Sequence, residues 1–285
     1  CWLSEGGLSE AGIGLLDDCG FQWTAGGESV LHNSLREEKS AQENWLYKPY
    51  QFSGNATACF FRDDELSDLI GFTYSEWHGD DAVSNLVHRL ELIDQRLDGQ
   101  EGAVVSVILD GENAWEHYPE NGYHFLQGLY QSLSNHQRLE LQTFSDCLKK
   151  SSAVERTELK RLVAGSWVYG TFSTWIGDEY KNRAWEMLTD AKQCFDTVVS
   201  SREFNEQQLE RAQRQLAICE SSDWFWWFGD YNPADTVSDF DGMFRMHLAN
   251  LYQCLGMEPP TYLSEEFTHG GGQPLHGGAM RQGRE

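Results

Sequence analysis

The chemistry this sequence offers lies in carboxylates placed where a strand gives way to a turn. The run Val104-Val105-Ser106-Val107-Ile108-Leu109 is short, apolar and β-branched, and Gly102 and Gly111 bound it. It reads as a buried strand. It leads straight into Asp110-Gly111-Glu112-Asn113-Ala114-Trp115-Glu116-His117. In parallel α/β folds, ligands collect at the C-terminal ends of strands, where loops present side chains. Leu109 closes the apolar run and Asp110 opens the polar one, so Asp110 belongs at the rim. Gly111 turns the chain without a Cβ. Asp110 suits a helix N-cap equally well. Glu5, in Cys1-Trp2-Leu3-Ser4-Glu5-Gly6-Gly7, sits in a second strand-to-helix turn, although its own context favours an exposed loop glutamate. Two such carboxylates would face one cleft if both strands belonged to one parallel barrel.

The elements that must position them follow from pattern. Ser9 caps a helix over 10–19 that Gly20 stops. Strands are expected over 21–25 and 57–61, with a charged, solvated helix over 28–43 between them. The aromatic stretch 45–52 contains Pro49 and reads as a loop; Tyr47 and Tyr50 could line a groove or simply pack. Arg62 is expected in a structural salt bridge. Asp63 and Asp68 could bond sugar or scaffold. Leu86, Leu90, Ile93 and Leu97 stripe a helix over 82–97. After the strand 104–109 come a helix over 121–134 and one more strand over 139–144. The alternation of strand and helix up to residue 130 marks a parallel sheet or barrel. Beyond that the strands stop. Long helices cover 178–199, 203–220 and 240–255, the last with Met243, Phe244, His247, Leu248 and Leu251 inward. The densest aromatic cluster, Trp224 to Phe228, suits a core. Asp223 and Asp230 flank it, as carboxylates that bind sugar hydroxyls often do.

Composition narrows the function. The chain has 285 residues and a net charge of −24, which opposes nucleic acid and anionic membranes because phosphate demands Lys and Arg. A neutral polysaccharide is not repelled. Eleven Trp suit stacking on sugar rings and core packing alike. The seven Cys are widely spaced with no CxxC pair, so reduced thiols in a cytoplasmic protein are the simpler reading. The histidines form no metal pattern and HExxH is absent, as are a glycine-rich phosphate loop and a Gly-x-Ser-x-Gly elbow. No metal or other cofactor is expected. No run is long and apolar enough for a membrane span.

Several segments, in order, resemble glycoside hydrolase family 57. They are WLSEGGLS, FFRDDELSDLIGF, LDGENAWEHYPENGYHFLQGLY, GSW at 165–167, WIG at 175–177 with NRAW at 182–185, and SDWFWWFGD at 222–230. The resemblance covers residues 1 to about 263. It implies an α/β fold: the later part of a (β/α)7 barrel over 1–150, then a mainly helical region over 151–263 that completes the cleft. A glycine-rich tail, expected to be disordered, covers 264–285. It implies a retaining glycoside hydrolase of the α-amylase or amylopullulanase kind, acting on α-1,4 and also α-1,6 linkages of α-glucan, with Glu5 as nucleophile and Asp110 as acid/base; the alternatives are a 4-α-glucanotransferase, a branching enzyme or a non-catalytic glucan-binding homologue. A retaining pair stands about 5–5.5 Å apart. Asp110 must then be protonated at rest, which burial near Trp115 and an ionised Glu5 would favour. Glu112 would strengthen that effect or bond a sugar. Trp2, Glu112, Trp115, His117, Trp167, Trp175, Asp178, Trp224 and Asp230 are the expected substrate contacts. The family's earlier barrel segments are expected before Cys1, so the chain reads as a piece of a longer protein, inactive alone.

Overall fold

The computed structural model describes residues 1–36, 44–98, 100, 102–111, 114–149 and 156–272. Two compact units divide them, Cys1–Phe172 and Ser173–Ala279. The division falls beyond the expected 150/151 boundary because residues 156–172 are tied into the first unit by backbone pairing. Thr157–Leu159 joins its sheet, and Gly165 bridges Leu8 in antiparallel fashion.

In the first unit, helix α1 (Glu10–Asp18) starts where Ser9 accepts a hydrogen bond from the Gly12 N–H. It ends at Gly20, whose φ of 78° needs a residue without Cβ. Strand β1 (Trp23–Gly26) follows, then helix α2 (Glu28–Leu35). Val30, Leu31, Ser34 and Leu35 of α2 are buried, so this helix carries a core face and is not the solvated one expected; residues 37–43 lie outside the described ones. Strand β2 (Tyr50–Phe52) and strand β3 (Ala58–Phe61) come next, and β4 (Thr157–Leu159) completes a sheet ordered β1-β3-β2-β4. β3 runs parallel to β1, with Trp23 opposite Ala58 and Gly26 opposite Phe61. All four β3 residues are buried, as a central strand covered on both faces must be.

The sheet departs from the expected parallel pattern at β2. Residues 53–57 are too short a link for a parallel crossover, so β2 pairs antiparallel to β3. The 45–52 stretch is thus partly strand. β4 likewise lies where strands were expected to have stopped.

After β3, Asp63 caps helix α3 (Asp64–Asp68), accepting from the Leu66 N–H. One π-helical turn follows at Leu69–Thr73. Helix α4 (Gly79–Leu97) then packs on helix α5 (Tyr123–Ser134). Leu86, Ile93 and Leu97 meet Tyr118, Phe125, Leu129 and Leu133 in one apolar cluster, with Leu90 at its margin. Each fully buried Leu or Ile there contributes about 1.5–3 kcal/mol. No strand forms over 139–144: Leu141 is 46% exposed, and helix α6 (Phe144–Lys149) begins directly.

The second unit is helical. Helix α7 (Glu179–Ser201), helix α8 (Glu206–Cys219) and the short α9 (Asp223–Trp227) all pack on α10 (Ala234–Cys254). α8 opens on a capping box between Asn205 and Gln208. α10 begins six residues before the expected start, and Met243 is 39% exposed, whereas Phe244, Leu248 and Leu251 are buried as expected. A buried Asp241–Arg245 pair at 2.6 Å holds the end of the unit: Arg245 donates to the Leu263 carbonyl, and Asp241 accepts from the Phe267 N–H. Within the expected disordered tail Phe267 and Gly271 are thus tied to the unit by hydrogen bonds and Thr268 is buried, and 273–285 lie outside the described residues. An α/β sheet unit followed by a helical unit is the fold class expected of a late barrel segment.

Candidate active site

The turn that carries Glu5 is built by close approach. Leu3 is extended (φ −72°, ψ 151°), and the chain then reverses through Glu5 at φ 56° and Gly6 at φ 57°. A left-handed non-glycine residue costs about 1–2 kcal/mol, so its surroundings must hold it. A Cβ on Gly6 would come within 2.6 Å of the Trp2 ring. The backbone N–H of Trp167 donates to the Glu5 carbonyl at 3.1 Å. Its indole Nε1–H donates to Glu5 Oε2 at 3.0 Å. Reciprocal bonds between Leu8 and Gly165, of 2.8 and 3.0 Å, fix the two segments together.

The segment that carries Asp110 is extended but is not a full strand. Ser106 makes one parallel bridge to Arg62, and its carbonyl accepts from the Asp63 N–H at 2.8 Å. There the ladder stops, because Asp63 turns the neighbouring chain into α3. Side chains continue the attachment: Ser67 Oγ accepts from the Ile108 N–H at 3.2 Å, and Arg62 Nε donates to the Ile108 carbonyl at 2.9 Å. Val107 is 38% exposed, so 104–109 is only half-buried.

Arg62 itself is buried and paired with Asp64 at 2.8 Å and Asp68 at 2.6 Å. That agrees with the structural salt bridge expected of it, and Asp68 serves scaffold. Asp63 does the same: besides its cap, it accepts from the Tyr47 hydroxyl at 3.1 Å. Burial, then the Asp63 charge, pushes the Tyr47 hydroxyl well above the usual phenol range.

Glu5 and Asp110 line one cleft of about 480 Å³, within the range of ligand pockets. Trp2, Ser4, Ile108, Leu109 and Gly111 line it beside them, and Trp23, Ala25 and Phe144 form the rest. A second cleft of about 510 Å³ lies beside Tyr47, Arg89 and Arg96. Its carboxylates are committed elsewhere, Asp63 to the α3 cap and Tyr47 and Glu65 to Arg89. Of these two clefts, the first combines two carboxylates that end extended segments with apolar and aromatic walls.

The family model of glycosyl hydrolase family 57 matches residues 1–160, more than half of the chain and all of that cleft. The chain belongs to glycosyl hydrolase family 57. No curated protein sequence matches it. Among solved structures it is similar to a family 57 branching enzyme from Thermococcus kodakaraensis, crystallised with glucose, at 18% identity and a TM-score of 0.67, covering 89% of this chain and 57% of that one. A family 57-type branching enzyme from Pyrococcus horikoshii gives 13% and 0.62, covering 95% and 61%. The 4-alpha-glucanotransferase from Thermococcus litoralis gives 14% and 0.55, covering 88% and 41%. At these identities the likeness is one of fold. This chain spans less than two thirds of each of those structures.

Within this family 57 chain the expected site residues separate into groups. Trp2, Glu5 and Asp110 share the cleft, and Trp167 joins them through its bonds to Glu5. Glu112 lies outside the described residues. Trp115 does not line the cleft: its ring packs 5.5 Å from Tyr118 and closes over Gly122. The apolar residues that line the cleft with Asp110 include Ile108, Leu109 and Phe144. His117 is exposed beside Glu116 at 3.5 Å.

The remaining four belong to the second unit. Trp175 and Trp224 keep 6% and 7% exposure, which leaves no open ring face for a sugar. Trp224 lies against Phe244 at 5.7 Å and donates to the Ile218 carbonyl. Asp178 caps α7 by accepting from the Tyr180 and Lys181 N–H groups. Asp230 is exposed, and its carbonyl accepts from the Gly271 N–H.

Sequence reasoning missed Trp23 and Phe144. Their rings meet edge-on at 5.0 Å, and Trp23 Nε1 donates to Ser145 Oγ at 2.9 Å. Strand alternation could have found Trp23, since positions 23 and 25 share one face. Among the described residues no cluster of three metal-ligating side chains occurs, and no helix is long and apolar enough to cross a membrane.

Proposed function

We propose that this chain carries the reacting carboxylates of a retaining glycoside hydrolase acting on α-1,4-linked, and also α-1,6-linked, glucan. Glu5 is the nucleophile and Asp110 the acid/base. The observation that carries the reading is that these two carboxylates, far apart in sequence, line one sugar-sized cleft within the segment matched to family 57.

In the first step Asp110, protonated, gives its proton to the glycosidic oxygen. A Glu5 carboxylate oxygen bonds to the anomeric carbon as the C–O bond to the leaving sugar breaks. In the second step Asp110, now ionised, takes a proton from water. The water oxygen bonds to the anomeric carbon, and Glu5 departs with its electron pair. Two inversions give net retention. Trp2, Trp23 and Phe144 offer the flat apolar surface that a pyranose ring covers. A neutral glucan meets no penalty from the −24 charge.

A second reading is transfer, in which a sugar hydroxyl replaces water in the second step. It draws support from the similar structures, two of which are named branching enzymes and one a 4-alpha-glucanotransferase. Hydrolysis raises the number of reducing ends in amylose, whereas transfer conserves it. The seven cysteines are all free thiols, which supports a reducing, cytoplasmic setting.

The test is covalent trapping. In the intact protein, a 5-fluoro-α-glucosyl fluoride should lose its anomeric fluoride and leave one 5-fluorohexosyl mass increment on the peptide containing Glu5, and Glu5→Gln should abolish it. A label on any other carboxylate would overturn the assignment.

A further inference from the structure

We propose that Trp167 is a positioning residue for the nucleophile: its indole N–H aims the Glu5 carboxylate, and Arg62 locks the indole. The inference rests on the reading of Glu5 given above. Trp167 grips Glu5 at two points, the backbone N–H on the carbonyl at 3.1 Å and Nε1–H on Oε2 at 3.0 Å. One residue thus fixes both the strained turn and the direction of its side chain.

The indole is itself held by two neighbours. The Arg62 guanidinium sits 5.5 Å from the ring centroid. Trp2 meets it edge-on at 5.0 Å. Gly27 fixes its backbone instead, since a Cβ there would fall 2.7 Å from the Trp167 Cα. A tryptophan that stacks on sugar needs an open face in the cleft. Trp167 is not among the residues lining it, and a cation covers its ring.

Arg62 cannot drift, because Asp64 and Asp68 pin both of its terminal nitrogens. Its Nε also holds the Ile108 carbonyl, two residues before Asp110. One guanidinium therefore braces the nucleophile's support and the segment bearing the acid. Charged groups placed around Glu5 in this arrangement include Asp110 along the cleft and Arg62 beside the indole, itself faced by Asp64 and Asp68, with Glu28 accepting from the Asp64 N–H at 3.0 Å.

An N–H donor to a carboxylate favours its ionised form and fixes its rotamer. Trp167→Phe keeps an aromatic ring beneath Arg62 and removes that donor together with the pyrrole half of the indole. The expected result is a fall in kcat/KM of about 10–100-fold, expressed in kcat and not in KM. The acid limb of the pH profile moves to higher pH, because a carboxylate without its donor takes up a proton more readily. Labelling of Glu5 by the fluorosugar slows in parallel. An isostere with sulfur in place of the indole N–H, 3-benzothienylalanine at position 167, should reproduce these effects with packing intact, and it serves if the Phe variant fails to fold. A raised KM with unchanged kcat and pH profile would make Trp167 a sugar contact and overturn the proposal. Equal labelling rates in wild type and variant would sink the proposal alone. Absence of label on Glu5 in the wild type would sink the nucleophile reading and the proposal with it.

Discussion

Arg62 Nε donates to the Ile108 carbonyl at 2.9 Å, which joins the end of β3 to the segment bearing Asp110. The same guanidinium pairs with both Asp64 and Asp68 in a setting where it is only 6% exposed. Removing one partner of a buried pair strands the others without compensation. Arg62→Ala should therefore lower unfolding free energy by about 3–5 kcal/mol. Arg62→Lys should recover only part of this, since one ammonium cannot reproduce the planar fork that spans both carboxylates and the carbonyl. Denaturant titration of the three proteins checks the order. A stable Arg62→Ala protein would mean that the pair is replaceable.

Asp178 tests how a carboxylate expected to contact substrate behaves when the structure gives it a cap. It accepts from two N–H groups at the start of α7, at 2.9 and 3.2 Å. Asp178→Ala should cost about 1 kcal/mol of stability, and Asp178→Asn much less, because Asn caps nearly as well. KM for amylose should be unchanged in Asp178→Asn. A raised KM with wild-type stability would return this residue to the substrate site.

Alkaline pH should weaken the fold through its buried thiols. Burial pushes Cys59 from 9.0 up to about 12. Burial, as the largest cause, does the same to Cys219 in the second unit, again to about 12. The folded state keeps each thiol neutral while the unfolded state ionises above pH 9. Their contribution is thus whole below pH 9 and is lost as pH rises towards 12, at about 1.4 kcal/mol per pH unit per thiol. Cys59→Ala should flatten the slope for the first unit. Exposed Cys19 should alkylate at neutral pH while Cys59 does not. An unchanged slope would show that other groups govern alkaline unfolding.

Helices α1, α4 and α5 were legible because local signals agree there: a Ser9 cap, a Gly20 stop, and the Leu86–Ile93–Leu97 stripe. β2 was not, since Tyr50–Phe52 becomes a strand only through its neighbours β3 and β4. The 104–109 run has the composition of a central strand. Its ladder is cut after one bridge by the Asp63 turn, which no property of 104–109 itself encodes. Glu5 and Asp110 could be read from their strand-to-turn settings. Trp175 and Trp224 could not be told from sugar platforms, because a buried indole and a stacking one look alike in sequence. Phe144 enters the cleft from a distant helix start, which only tertiary packing arranges.

The most direct measurement of the Glu5–Asp110 pairing is azide rescue of two variants on α-glucosyl fluoride, with the anomer of the product read by NMR. In Glu5→Ala, azide should enter from the vacated side, displace fluoride once and give the β-glucosyl azide. In Asp110→Ala, Glu5 should displace fluoride first and azide should then displace Glu5, giving the α-glucosyl azide. Opposite anomers from the two variants are the predicted result. The same anomer from both, or the reverse assignment, would contradict a nucleophile at Glu5 and an acid/base at Asp110 acting across one cleft.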